Sequence, residues 1–227
     1  VFGYHQEIEA RFPAARAAVV VARNVVNDVA AEALGRDYRA AQAEAVGVLG
    51  EGGPADHPSI KAWRSVFTAF GVKPTQHRNA AEALLRRLAR HGDIPSINPA
   101  VDLGNLVSIR HALPVAVFDL ATLVHPVTVT VASGEETFTG IGSSQPEHPA
   151  PGEVIFVDGR GDVVARRWCW KQSAGGATGP DTTDVMYVIE AVHNDAVDAV
   201  SEAADQLVDL LARYQPAARI DRFTAPD

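Results

Sequence analysis

Glu190 has the most unusual setting of any carboxylate in this sequence. It follows Met186 and Val188 at a spacing of two, so a strand places it on one face with two apolar side chains. A carboxylate on such a face is costly unless it is put to use. The same residue also suits the opening of the last helix, where negative charge meets the positive end of the dipole. Upstream, Val163 to Trp170 alternates as a strand. Arg166, Trp168 and Trp170 then share one face, and Arg167 and Cys169 the other. Rings beside guanidinium groups suit stacking on a base, an adenosine or an aromatic amino acid. A core strand with Trp anchors and snorkelling Arg fits the pattern too. Cys169, inside the strand, reads as a small buried apolar residue rather than a nucleophile.

Three further stretches carry candidate contacts. The loop QSAGGATGPDTT, Gln172 to Thr183, has glycines that let backbone approach a ligand, and Thr178, Thr182 and Thr183 as donors. It lacks the spacing and the Lys of a phosphate loop, and a plain flexible loop fits its composition equally. The segment DIPSINPAVDLGNLVSIRHALPVAVFDL, Asp93 to Leu120, begins a helix at Asn98-Pro99. Helical spacing puts Val101, Gly104, Asn105 and Ser108 on one side with Asp102 at its border, and Leu103, Leu106 and Val107 on another. The small polar side can wall a pocket or pack closely on a neighbouring backbone. Arg78, Arg86, Arg87 and Arg90 cluster about one helix, where Arg86 and Arg87 can touch phosphate or form a solvated, ion-paired face. The eight His residues are scattered with no metal-ligand spacing, so neither metal nor cofactor is expected. No GxSxG elbow is present.

The elements that must position these residues read as α+β. A buried strand spans Ala17 to Val26. A helix runs from Asp28 to Leu49 and ends at Gly50, and Glu51 to Pro58 form a loop. Helices follow over Ser59 to Phe70 and Asn79 to His91, the second capped by Asn79 and closed by Gly92. From Val115 the period changes to two. Val127–Val131 with Thr137–Ile141 reads as one hairpin, and Val154–Val157 with Val163–Trp170 as another. Val185 to Ile189 is a strand, and Val192 to Tyr214 a final amphipathic helix. The stretch after Pro216 reads as a mobile tail. The expected division is residues 1–56 packed on the same domain, a core over 57–215, and a tail over 216–227.

Composition narrows the classes. The chain has 227 residues, 47% of them hydrophobic and 21% charged, enough to bury a substantial core. A formal net charge of -8 argues against broad binding to nucleic acid or anionic membrane, yet permits a local basic patch. The single cysteine forms no internal disulfide, which suits a reducing cytoplasm. No 18-residue apolar run or signal pattern is present, so no membrane partner is expected.

Several blocks then combine into a resemblance. They are HPSIKAWRSVFTAFGVKP, EALLRRL, IPSINPAVDLGNLVSIRHALPVAVFDL, PGEVIFVD, RRWCWKQS and TTDVMYVIE, in order over His57 to Tyr214. The chain resembles the editing module of the phenylalanyl-tRNA synthetase β subunit, its third and fourth domains, and more closely the freestanding bacterial proteins built from that module. The resemblance implies a central antiparallel sheet flanked by helices. It implies tRNA binding and hydrolysis of a mischarged aminoacyl-tRNA ester, without a metal or a Ser-His-Asp triad; positioning groups and the terminal ribose arrange the water. Asn98, Asp102 and Asn105 match the family's pattern. Gly104 stands where the synthetase carries a pocket Thr, Ala116 where it carries a pocket His, and Glu190 where it carries the Glu that selects tyrosine. The loss of two hydrogen-bonding side chains means tyrosine is not to be assumed as substrate.

The expected function is therefore trans-editing deacylation. Glu190 is the catalytic or orienting carboxylate. Asn98, Gly104, Asn105, Ser108, Ala116, Trp168, Trp170, Gln172, Thr182 and Thr183 line the aminoacyl or adenosine site, and Arg86 and Arg87 touch the RNA. Two alternatives stand beside it: a non-catalytic binder of amino acids, nucleotides or tRNA, and an amidase or esterase for small metabolites.

Overall fold

The computed structural model describes residues 1–29, 31–48 and 53–226. Among the described residues, nine strands form two sheets. Sheet A runs β1 (Phe2–Tyr4), β4 (Val127–Val131), β5 (Val154–Val157), β6 (Val163–Arg166) and β7 (Lys171–Gln172). Its β1–β4 pair is parallel and the rest antiparallel. Sheet B is antiparallel throughout, in the order β3 (Val115–Asp119), β8 (Asp184–Ala191), β2 (Arg16–Arg23) and β9 (Arg219–Ala225). The α+β class holds, with the antiparallel strands divided between two sheets rather than gathered into one.

Strand alternation splits the core into two layers around sheet B. Ala18, Val20, Ala22, Val185, Tyr187 and Ile189 face α2 (Glu32–Val48), α4 (Ala80–His91), α5 (Pro99–His111) and α6 (Ala196–Tyr214). Val19, Val21, Met186 and Val188 face sheet A, with α1 (Gln6–Arg11) and α3 (Pro58–Ala69) closing that layer. The helix starts follow sequence chemistry. Asn79 accepts the Glu82 N–H, and Asn98 the Val101 N–H ahead of Pro99. Gly92 closes α4 in the left-handed region, φ 78°. Among the described residues, no helix is long and apolar enough to cross a membrane.

Four sequence expectations change. Arg219–Ala225, expected as a mobile tail, is a strand paired with β2 along seven residues. Thr137–Ile141 does not pair with β4, whose partners are β1 and β5. Glu136 binds the N–H groups of Ser133 and Gly134 and turns the chain away, and Phe138 bridges to Glu147 instead. The strand Val163 to Trp170 stops at Arg166, because Arg167 and Trp168 take left-handed backbone, φ 45° and 59°. The last helix begins at Ala196, so Glu190 belongs to β8 and not to a helix start. The expected helix end at Leu49-Gly50, and the first two residues of the loop after it, lie outside the described residues.

Candidate active site

The left-handed turn at Arg167–Trp168 builds the site. Glu153, buried on the loop before β5, takes the Arg166 guanidinium at 2.9 and 3.0 Å and the Arg167 N–H at 3.0 Å. The Trp168 N–H reaches the Val154 carbonyl. These bonds hold a conformation that neither Arg nor Trp favours. They also scatter the three residues the alternation would align. Arg166 turns to Glu153, Glu147 and the Phe138 ring. Trp168 drops fully into the core among Phe12, Trp63 and Phe70. Trp170 stays half-exposed, with Arg167 4.3 Å and Lys171 4.5 Å from its ring centre and His77 edge-on at 4.7 Å.

Glu190 lies at the base of a cavity of about 160 Å3. Apolar walls come from Phe156, Ala165, Trp168, Ala116, Pro114, Val115 and Ile141, and Cys169, Trp170, Lys171, Gln172 and Ala80 complete the lining. One carboxyl oxygen, Oε1, accepts both Tyr4 Oη–H at 2.7 Å and Trp168 Nε1–H at 2.9 Å. Among the described residues, Oε2 has no hydrogen-bond partner. Burial pushes the carboxyl up to about 7, against the two donated bonds that favour its ionised form. Burial and then Glu190 hold the Tyr4 hydroxyl well above its usual range. The same two causes raise the Cys169 thiol, which lines the cavity as an uncharged sulfur and not as a thiolate. A space of this size suits one benzene-sized ring or a branched aliphatic side chain.

Gln172 ties the two sheets beside this cavity. Its side-chain amide donates to the Val117 carbonyl at 2.9 Å and accepts the Val117 N–H at 3.2 Å, so β7 meets the edge of β3 through a side chain.

Residues 62–217 match the model of the B3/4 domain family. The chain belongs to this family. A relative, the phenylalanine–tRNA ligase beta subunit of Shewanella oneidensis, is 33% identical over 89 residues, a match covering 39% of this chain and 11% of that protein. The chain thus spans about a tenth of the length of that relative. A crystal structure of an N-terminal fragment of the phenylalanyl-tRNA synthetase beta-subunit from Pyrococcus horikoshii shares the fold. It aligns with a TM-score of 0.51 over 100% of this chain and 54% of that chain, at 12% identity.

Every cavity residue lies inside the B3/4 match, whereas Tyr4, which binds Glu190, comes from outside it. The cavity brings together five of the residues expected from sequence: Ala116, Trp168, Trp170, Gln172 and Glu190. It does not bring in the α5 residues. A Cβ on Gly104 would lie 2.6 Å from Val117 Cγ2, so this glycine is a close-packing seam between α5 and β3. Ser108 is buried and donates to the Leu113 carbonyl, and Asn105 lies beside Tyr38. Asn98 caps α5 and reaches Thr178 at 3.2 Å, while Asp102 takes the Ser96 hydroxyl and the Ile97 N–H. Thr182 bonds Asp119 at 2.6 Å, and the exposed Thr183 bonds Asp184. The helix face expected as a pocket wall therefore serves packing, because the strands it covers leave no room there.

Arg86 and Arg87 lie on the outer side of α4. Arg64 and Arg86 contact the buried Glu82 at 2.8 and 2.7 Å, with Arg78 at 3.8 Å. Arg87 turns to Asp93. Among the described residues, no group of three or more His, Cys, Asp or Glu side chains is placed to hold a metal. Tyr4 was missed by sequence reasoning, since it stands 186 residues from Glu190 and no local pattern links them.

Proposed function

We propose that this B3/4 domain protein is a trans-editing hydrolase that deacylates a mischarged aminoacyl-tRNA. The observation that carries the reading is the apolar cavity with one buried carboxyl at its base and a half-exposed Trp at its rim. The amino-acid side chain enters the cavity, and Glu190 Oε2 takes its polar group or its ammonium. Trp170, with Arg167 and Lys171 over its ring, receives the terminal adenosine. Arg86 and Arg87 contact the RNA backbone. In the reaction, a water oxygen joins the acyl carbon and the ester C–O bond breaks. One water proton goes to the leaving ribose oxygen, and the other is released as the amino acid becomes a carboxylate. Glu190 orients the reactants rather than acting as the base, since Tyr4 and Trp168 already hold its other oxygen.

The family and the synthetase relative support an RNA substrate, and the cavity supports an aminoacyl one. A deacylation screen across tRNAs charged with different amino acids tests this. At least one pair is expected to be cleared well above its spontaneous rate, and Glu190→Ala slows that clearance. If every pair decays at the spontaneous rate, the enzymatic reading is lost.

A second reading, a non-catalytic binder on the same fold, is favoured by the chemistry at the cavity. The thiol there is held protonated, and Ala116 brings no polar side chain. Ligand-induced melting shifts without turnover distinguish it.

A further inference from the structure

The register of sheet B leaves one residue of β3 beside the cavity with outward, unpaired backbone groups. Along β3 the partners are Val115↔Ile189, Ala116↔Val188 and Val117↔Tyr187. The Glu190 N–H donates to the Pro114 carbonyl. The hydrogen-bonded pairs of the ladder are therefore those of Pro114, Ala116 and Phe118, and Val115, Val117 and Asp119 turn their N–H and C=O groups outward. Val117 meets the Gln172 amide with both groups, and the Asp119 N–H reaches the Gly176 carbonyl at 3.1 Å. Val115 is the remaining outward residue, and among the described residues its N–H and C=O find no partner. Its side chain packs over Gly104 on the opposite face of the sheet, so its backbone is what it presents to the cavity. A free strand edge is a template for the polar groups of a ligand.

We infer that the Val115 N–H is the donor that holds the acyl oxygen of the bound aminoacyl ester, while the amino-acid side chain points toward Glu190. This rests on the deacylase reading and names the group that engages the reacting bond. β3 fixes the donor before the substrate arrives. Negative charge gathers on the acyl oxygen as water adds, so the contact strengthens in the transition state. The ligand class that fits is an α-aminoacyl ester or its amide isostere; an amine or alcohol without the acyl oxygen lacks the acceptor.

The test titrates 15N-labelled protein with 3′-deoxy-3′-(L-tyrosylamino)adenosine and its phenylalanyl counterpart, which are not hydrolysed as esters. The Trp168 indole N–H reports cavity occupancy, and the Val117 amide, already bonded, is the internal control. The expected result is a shift of both the Trp168 indole and the Val115 amide. Exchange at Val115 slows about tenfold or more, and Val117 is unchanged. If the indole responds and Val115 does not, the inference is overturned while the site stands. If neither responds at saturation, the deacylase reading fails and the inference goes with it. In a second arm, semisynthesis replaces the Val115 N–H by an ester oxygen with the side chain kept. The melting temperature stays close to that of the parent, because β8 does not use this N–H. Deacylation kcat falls about a hundredfold with little change in KM, and an unchanged kcat rejects the assignment.

Discussion

Replacing Glu190 by Gln tests the buried carboxyl through stability, independently of any substrate. In the folded protein burial pushes its pKa from the ordinary 4.5 to about 7. Below pH 4.5 the group is protonated in both folded and unfolded chains, and it carries no penalty. Between 4.5 and about 7 the folded state keeps a proton that the unfolded state releases, so stability falls as pH rises. Above that range both states are ionised and the full penalty remains. At about 1.4 kcal/mol per pH unit, the window corresponds to about 3 kcal/mol. Gln keeps an oxygen for the Tyr4 and Trp168 bonds and carries no charge at any pH. Urea unfolding of both proteins at pH 5 and pH 8 isolates the effect. The partnered carboxylates Glu153 and Asp158 are held low and contribute equally to both proteins. The variant should gain on the parent by about 2–3 kcal/mol between the two pH values. A gain below about 0.5 kcal/mol, or a gain toward acid, refutes the account of a buried, protonatable Glu190.

Other perturbations read other parts of the structure. Arg166→Ala leaves Glu153 buried without its guanidinium and should cost about 3–5 kcal/mol in chemical denaturation; adding Glu153→Gln should recover much of that loss. Gly104→Ala forces a Cβ to 2.6 Å from Val117 Cγ2, and the expected loss of about 1–3 kcal/mol is read from the urea midpoint. Gln172→Ala removes the amide that caps both groups of Val117. Hydrogen exchange at the Val117 amide should speed up, with a stability loss of about 1–3 kcal/mol.

Much of the fold was legible where local chemistry decides it. Asn79 with Gly92, and Asn98 with Pro99, bracket α4 and start α5 as their residue types demand. The continuous apolar runs of β2 and β8 and the alternation of β4 also carry their own signal. The failures share a cause: distant partners override the local pattern. Nothing in RRWCW marks a left-handed turn, and Glu153, thirteen residues before Arg166, imposes it. Arg219–Ala225 looks polar enough for a tail, with mostly exposed side chains, and is a strand because β2 offers an open edge. The cavity was half legible for the same reason. Glu190 and the two tryptophans announced themselves by type, whereas the small face of α5 read equally as pocket and seam. Only the position of Val117 decides between them.

The place of β2 in sheet B bears on how the chain is made. Residues Arg16–Arg23 are flanked by β8 and β9, both far later in the sequence. The apolar stretch AAVVVA therefore waits for both its neighbours until residues 184–225 have followed it out of the ribosome. At synthesis rates of about 5–20 residues per second, that interval is on the order of ten to forty seconds. Helices form meanwhile, but the sheet that carries Glu190 cannot close until β9 has been made, a topology that folds slowly. For this interval the strand is a natural client for a nascent-chain chaperone. Recombinant yield should respond to slower translation or lower temperature more than the modest size of the chain suggests.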